Sequence, residues 1–554
     1  MRVVLTFSMA WMVCAGGGLS GSNLCRATEP AANKTKTGTT KQAIADKLDD
    51  GLDKDPDARY PIFVRMKAQM FRRGGDYERF ARDHRTEKRS LLRKRVLKTL
   101  RANSDASWAK VKQTVSKLQA DGQISGFERY WIVNGFACAA DSAACRSLAR
   151  LDAVEFIYLQ KVNVRQHRTG RRFAAGAARQ KQFRQVYREV LKNWKDDSRQ
   201  PFSTKGLTIP WNVKRVGADQ VWEKEHVYGQ GVVVGLIDTG LMTTPALMAA
   251  VWKNPNEKLD GKDDDGNGFV DDLFGYDFNS DSFYALGDGA RMTHGSMCGG
   301  IIAGRPLNAK HLATGIAPRA RLMMLRGMGK LRAYEYALAN GADIVSMSFM
   351  FTQPNLGNYR GLYRLAHEHL AAGGVLAVGG AGNFGSGSRR SLPEGRQIAI
   401  PKDIPCVIAA AGITKSGKAP AFSSRGPCSW SGVKFYNDYP TEHPLRKPDV
   451  TGCIAGYPVW GRPITLGGRW KIVSKEGDAF ALIVGPQGNS FSGPHAAGVA
   501  ALMLSANPEL NPWEIKSLME QTCRDLGEKG WDTTYGAGLL QALPAVRAAK
   551  RVKK

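Results

Sequence analysis

The chain is 554 residues long, 43 % hydrophobic and 23 % charged, the balance of a globular protein with enough apolar residues for a large core. This excludes a disordered, collagen-like or multi-span membrane chain as the whole molecule. Lys and Arg number 79 against 50 Asp and Glu, and the net charge of +29 favours adsorption to anionic surfaces such as nucleic acid, lipopolysaccharide or acidic polymers. Nine cysteines, an odd number thinly spread, exclude a disulfide scaffold.

Residues 1–27 read as an export signal: Arg2, an apolar run over 3–15 shorter than the ~20 residues a bilayer requires, then small residues from Gly16. The expected destination is secreted, periplasmic or cell-surface. Residues 28–58 carry Lys, Thr, Asp and Ala without periodicity and read as a mobile lead-in. Over 59–165 the pattern is that of a small split α/β sandwich: a strand from Pro61, helical spacing from Ser90 to about Leu118, a strand pair over 124–138, a short helix over 141–151 and a last strand over 154–159. Residues 166–206 read as a basic linker with a helical middle over 173–194. Across 161–200 there are twelve Lys and Arg against three acids, and a solvated interdomain helix, a protease-sensitive linker and a nucleic-acid arm compete for it. It lacks the aromatic interleaving of a base-stacking platform, so no specific nucleic acid is expected.

From 207 to 550 apolar, β-branched runs starting at Gly231, Ala342, Gly374 and Val407 alternate with helical patterns. Such runs imply an α/β fold, a doubly wound and mostly parallel sheet buried on both faces, with functional groups at the carboxyl ends of its strands. Four blocks carry chemistry there. Asp238 ends the first run, before Thr239 and Gly240. His294 opens a stretch of small residues, beside Gly295, that core packing does not demand. Ser490 stands at a loop-to-helix junction inside Gly–Asn–Ser–Phe–Ser–Gly–Pro–His. Gly380, Gly382 and Gly385 satisfy G-x-G-x-x-G, but no helix follows, so Asn383 in this loop reads better as an amide aimed at an oxyanion than as part of a dinucleotide site.

The order Asp238, His294, Ser490 is that of the subtilisin-type triad. With the blocks at 422–427 and 447–450, the chain from about 210 to 545 resembles the subtilisin-like serine peptidases, and residues 60–165 resemble their inhibitory propeptide. The resemblance implies Ser490 as nucleophile, His294 as general base, Asp238 as its orienter, and Asn383 with the Ser490 N–H as oxyanion donors. It also implies Ser348 and Gly380 as substrate-binding positions, a protein or peptide substrate, the chain's own propeptide as inhibitor and a monomer. The pattern departs from the family at Asn489, where Thr is usual, at Phe491–Ser492 and at Phe349–Met350. A catalytically inactive scaffold and an anion-binding protein are the alternatives.

No cofactor is required for this chemistry. Asp263, Asp265 and Asn267 alternate before Gly268 as at the start of a calcium loop, and Asp271 is a further candidate ligand for a structural Ca²⁺; Phe274 stands where a bidentate Glu is expected, and an acidic surface turn is the other reading. Cys298, four residues after His294, reads as a buried small hydrophobe, and Cys138 and Cys145 as a candidate pair. His367, Glu368 and His369 lack zinc-peptidase spacing and read as the polar side of a helix.

Overall fold

Strand residues of the large domain alternate between two apolar cores. Val234, Leu236, Leu322, Met324, Ile344, Leu376 and Val378 enter one, while Ile237, Met323, Leu325, Val345, Met347 and Ala377 enter the other. A sheet buried on both faces is what continuous apolar runs require. The computed structural model describes residues 42–52, 55, 58–160, 177–197, 200, 202–287, 292–351, 356–463, 470–477 and 479–554. The export signal and residues 161–176 lie outside them. The chain divides into two units, 1–46 and 47–554, and every sheet among the described residues lies in the second.

The amino-terminal part of that unit is a four-stranded antiparallel sheet in the order β2-β3-β1-β4, with β1 Arg59–Met66, β2 Ile124–Tyr130, β3 Gly135–Asp141 and β4 Val154–Leu159. Helices α1 (Arg89–Ala120) and α2 (Ser142–Ala149) complete the split sandwich expected from the sequence. On α1, Leu92, Val96, Leu100, Ser104, Ser107, Val111, Val115 and Leu118 are buried at three- and four-residue spacing, a single inward stripe. Two expectations are corrected. The lead-in is not wholly mobile: Leu48 bridges to Ile157, Leu52 is buried, and Lys47 Nζ donates to the Ala149 and Leu151 carbonyls. Cys138 and Cys145 are both buried, and they are not joined in a disulfide.

The basic linker is also different from a solvated helix. Helix α3 (Ala177–Asn193) lays Tyr187 and Val190 into the core of the large domain. Tyr187 Oη donates to the Phe283 carbonyl, Trp194 Nε1 donates to Val251 O at 3.0 Å, and Asp197 pairs with Arg305 and Arg319 at 2.9 and 2.6 Å.

The large domain is built on a seven-stranded parallel sheet in the order β11-β10-β9-β8-β5-β7-β6. The strands are β5 Val233–Asp238, β6 Gly275–Asp277, β7 Arg321–Arg326, β8 Ile344–Met347, β9 Leu376–Gly380, β10 Ile408–Ile413 and β11 Val450–Cys453. Helices α4 (Thr293–Ala303) and α7 (Ser492–Ala506) cover one face; α5 (Leu331–Ala339) and α6 (Tyr359–Ala372) cover the other. The sheet is doubly wound, as expected. Among the described residues no helix is long and apolar enough to cross a membrane.

On α6 the reading of His367, Glu368 and His369 as a polar face fails, because all three are buried. The amino-terminal sandwich covers this helix. His369 Nδ1 lies 2.5 Å from the Ile132 carbonyl, and Glu368 accepts from Arg364 Nε at 2.7 Å.

Candidate active site

Asp238 is the last residue of β5, and the chain must turn sharply beyond it. Gly240 takes φ +121°, a conformation that favours glycine. Gly295, in the first turn of α4, has no room for a side chain: a Cβ there would stand 2.3 Å from Gly240 O and 3.3 Å from Asp238 Cβ. This close approach explains the glycines around His294 and brings imidazole and carboxylate together, His294 Nδ1 to Asp238 Oδ1 at 2.8 Å. Thr239 N–H donates to the same oxygen at 2.7 Å, while the buried Oδ2 has no partner among the described residues.

Burial works against the Asp238 charge, but His294 and the Thr239 N–H outweigh it and hold the carboxyl below the ordinary carboxylate range. The Asp238 charge raises His294 well above the usual imidazole value against the opposing effect of burial. Cys298 is fully buried, as expected, with Sγ 4.0 Å from His294 Nδ1 and donating to the Ser490 carbonyl at 3.5 Å. Burial pushes this thiol up, which keeps it neutral.

Ser490 lies two residues before α7, in a loop pressed against the end of β9. A Cβ on Gly380 would fall 1.7 Å from Asn489 O and 3.2 Å from Ser490 N, so only glycine fits there. Ser348, just past β8, donates from Oγ to the Ser490 carbonyl at 2.7 Å, and its own carbonyl accepts from Ser490 Oγ at 3.4 Å. The hydroxyl is thus turned to Ser348 and makes no hydrogen bond to His294 here. The two blocks are nevertheless neighbours through Cys298, which contacts both, and the Phe491 and His294 rings lie 6.4 Å apart.

Asn383 is oriented by its carbonyl. Asn383 Oδ1 accepts from Asn489 N–H at 2.8 Å and from Asn489 Nδ2 at 3.2 Å, which leaves its own Nδ2 as the outward donor. Asn489 is fully buried and also exchanges hydrogen bonds with the Ser423 hydroxyl, so the departure from Thr serves here to fix the amide. The Ser490 N–H donates to no described residue. Ser492, another of the departures, is buried and satisfied by Ala410 O and Asn489 O at 2.6 and 2.8 Å.

The acidic loop rearranges the expected ligand set. Glu257, Asp265 and Asp272 place carboxylate oxygens within 4.8 Å of one another. Asn254 and Asn267 direct their amides at the same Asp265 and Asp272, between 2.9 and 3.1 Å. Asp263 is not part of this cluster: it accepts from the Asn267 and Gly268 N–H groups and shapes the turn. Asp271 is not part of it either, being held by Gly261 N–H and Arg184 of α3. Glu257 and Asp272 fall outside the alternating spacing, and only their acidity near the loop could have marked them. Burial raises both, Glu257 to about 8; the Asp272 charge adds to the rise at Glu257, and the Asp265 charge to that at Asp272. Glu257 Oε2 is buried without a partner, so an all-oxygen donor set stands there with its charge uncompensated, which fits a hard divalent cation such as calcium.

Comparison with known proteins agrees with this architecture. Subtilisin DY of Bacillus licheniformis is 25 % identical over 354 residues, covering 61 % of this chain and 99 % of the relative. A thermostable alkaline protease of Halalkalibacterium halodurans is 26 % identical over 350 residues, 60 % of this chain and 73 % of its own. A calcium-dependent protease of Trichormus variabilis is 28 % identical over 294 residues, 47 % of this chain and 40 % of its own. The subtilase family model matches residues 229–538, the stretch that runs from just before β5 to beyond α7 and contains Asp238, His294, Asn383, Ser490 and the acidic loop, and with this match over more than half of its length the chain belongs to the subtilase family of serine endopeptidases.

Proposed function

We propose that the chain is an exported endopeptidase made as a self-inhibited precursor, with Asp238, His294 and Ser490 as its triad. The observation that carries this reading is the 2.8 Å Asp238–His294 pair, set beside the loop that holds Ser490 at a helix start. Ser490 Oγ swings from the Ser348 carbonyl toward His294 Nε2, gives up its proton there and attacks the scissile carbonyl. Asp238 holds the Nδ1–H tautomer and stabilises the imidazolium that forms. Asn383 Nδ2 and the Ser490 N–H donate to the oxyanion. His294 then protonates the leaving amine, and water releases the acyl group by the same steps in reverse order.

The precursor reading is supported by how the amino-terminal sandwich sits. Glu335 of α5 accepts from the Trp131 and Ile132 N–H groups, and Gln160, past β4, donates to Tyr359 Oη at 3.2 Å. Arg89 and Arg93 of α1 reach Asp343 and the Ala342, Gly373 and Gly374 carbonyls. Because α3 is built into the protease core, we place the maturation cut between Gln160 and Ala177. Export rests on the signal-like composition of residues 1–27, and adsorption to anionic surfaces on the net charge. A structural calcium at Glu257, Asp265 and Asp272 is consistent with the calcium-dependent relative. Mass spectrometry tests the whole: the wild-type precursor is expected to split, and Ser490→Ala, folded by circular dichroism, to stay whole. A Ser490→Ala chain that matures normally refutes the reading.

A further inference from the structure

The carboxyl edge of the large sheet carries more than the triad. Asp238 ends β5, Ser348 follows β8, and Asn383 follows β9. Farther along the same edge is a solvent-open cavity of about 370 Å³, whose lining includes Trp211, Lys214, Arg215, Lys415, Arg524 and Gln541. No Asp or Glu lines it. Lys214, Lys415 and Arg524 are exposed, and their side chains pair with no described residue. Asp219, on which the Lys214 charge acts through space, stands outside the lining, and so does Asp525, which accepts from Gly530 N–H at 2.9 Å.

Hydrogen bonds fix this cavity to the ends of β10 and β11. Arg215 Nη2 donates at 3.0 Å to the carbonyl of Lys415, two residues past the end of β10. Trp211 Nε1 donates at 2.7 Å to Gly456 O, three residues past the end of β11. Asn212, next to Trp211, meets His495 Nε2 of α7 at 3.0 Å. On β10 a Cβ at Gly412 would stand 2.8 Å from Oδ1 of Asn489, the residue before Ser490. From β9 to β11 is two strand spacings, about 10 Å, or roughly three residues of extended chain. A peptide running along this edge from the nucleophile therefore reaches the cations within a few residues of its scissile bond.

We propose that this cavity is a second docking site for the protein substrate, which takes an acidic stretch lying several residues from the scissile bond. The proposal rests on Ser490 as the nucleophile. Cations from three separate chain segments suit several spaced carboxylates better than a single phosphate, and one aromatic ring is no stacking platform for nucleic-acid bases. Each exposed ion pair contributes little, so the site acts through the number of pairs and through KM, not kcat. None of the lining residues belongs to the amino-terminal sandwich, so the site is present in the precursor as well as in the mature enzyme.

The test uses the mature enzyme and peptides that share one cleavable core and carry, beyond a short spacer at either end, a run of Glu or of Gln. For at least one end, KM in low salt is expected to be about tenfold lower with Glu than with Gln at similar kcat, and the difference shrinks in high salt. Lys415→Gln with Arg524→Gln removes the difference, whereas Lys310→Gln with Lys475→Gln, an equal loss of charge outside the lining, keeps it. Equal KM for Glu and Gln at both ends, a difference that survives the first pair of substitutions, or one lost equally with the second pair overturns the proposal. Single-stranded DNA that binds through Lys415 and Arg524, with no effect of the Glu run, overturns it as well. If the first double variant fails to fold, Lys214→Gln with Lys415→Gln takes its place. A chain that cleaves no peptide and whose Ser490 resists a fluorophosphonate sinks the nucleophile assignment instead; fluorescence anisotropy of the Glu-bearing peptide, with and without the first pair of substitutions, then decides the cavity alone.

Discussion

Asp238 and the cluster of Glu257, Asp265 and Asp272 sit in opposite electrostatic situations, although both sites are buried. At Asp238 a neighbouring imidazole and a backbone N–H face the carboxylate, and its pKa falls despite desolvation. In the acidic loop Glu257 accepts long hydrogen bonds from the Lys258 and Asp264 N–H groups but faces the Asp272 charge, so desolvation prevails and its pKa climbs to about 8. The sign of the neighbouring charge, not depth, decides whether a buried acid stays ionised. The first site holds a fixed charge with which to work on His294; the second holds acids that must bind either a proton or a metal.

The largest expected effect breaks the first half of that contrast. Asp238→Asn keeps the shape and removes the charge, so kcat falls by about 10⁴-fold with KM little changed and the circular dichroism spectrum intact. A loss below tenfold would mean that the charge does not matter. In the proposed mechanism wild-type activity is expected to follow the neutral imidazole. Because Asp238 raises His294 above about 6.5, kcat/KM increases with pH on a limb centred above that value, and Asp238→Asn moves the limb down. In its proposed role Asn383 donates only when charge develops, so Asn383→Ala is expected to lower kcat by about 10²–10³-fold.

What could be read from sequence follows the same division. Asp238, His294 and Ser490 were legible because each sits in a block with a glycine demanded by close backbone approach, at Gly240, Gly295 and Gly493. The split sandwich was legible because the spacing of Leu92, Val96 and Leu100 is that of a single helix face. The acidic cluster was only partly legible: Asp265 lies in the alternating run, but Glu257 and Asp272 are brought to it by the fold. His367, Glu368 and His369 look polar by composition and are buried because a distant part of the chain covers α6. Helix α3 reads as basic and solvated, yet Tyr187 and Val190, three residues apart, are the signal of a docked face that the charge obscured.

The second half of the contrast is tested with calcium. At a free concentration of 100 times Kd, one bound ion stabilises the fold by about 2.7 kcal/mol, read as a rise in Tm. Glu257→Gln and Asp272→Asn remove that response. In chelator the sign reverses: each substitution deletes one of the repelling acids, so the variant melts at or above wild type. A Tm response to calcium that survives both substitutions would place the ion elsewhere.

The smallest effect is hidden in wild type and appears only when one of two opposed groups is removed. Glu335, buried under the Trp131 and Ile132 N–H groups, is pushed up to about 7, burial being the main cause. The docked state therefore holds its proton, and docking of the amino-terminal sandwich is strongest below the ordinary carboxylate value and is lost as pH rises toward 7. His369, against the Ile132 carbonyl and the Phe71 ring, is pushed down to about 4 by burial. Its docked state resists protonation, so docking weakens as pH falls from about 6.5 toward 4. The two windows overlap with opposite sign, and the affinity of the separately added sandwich for the mature protease is expected to change little across them. Glu335→Gln leaves only the histidine, so affinity falls by about tenfold on acidification; His369→Gln leaves only the carboxyl, so affinity falls by a similar factor as pH rises. Titration calorimetry at pH 5 and 7.5 distinguishes these outcomes, and parallel pH profiles in both variants would show that neither group senses docking.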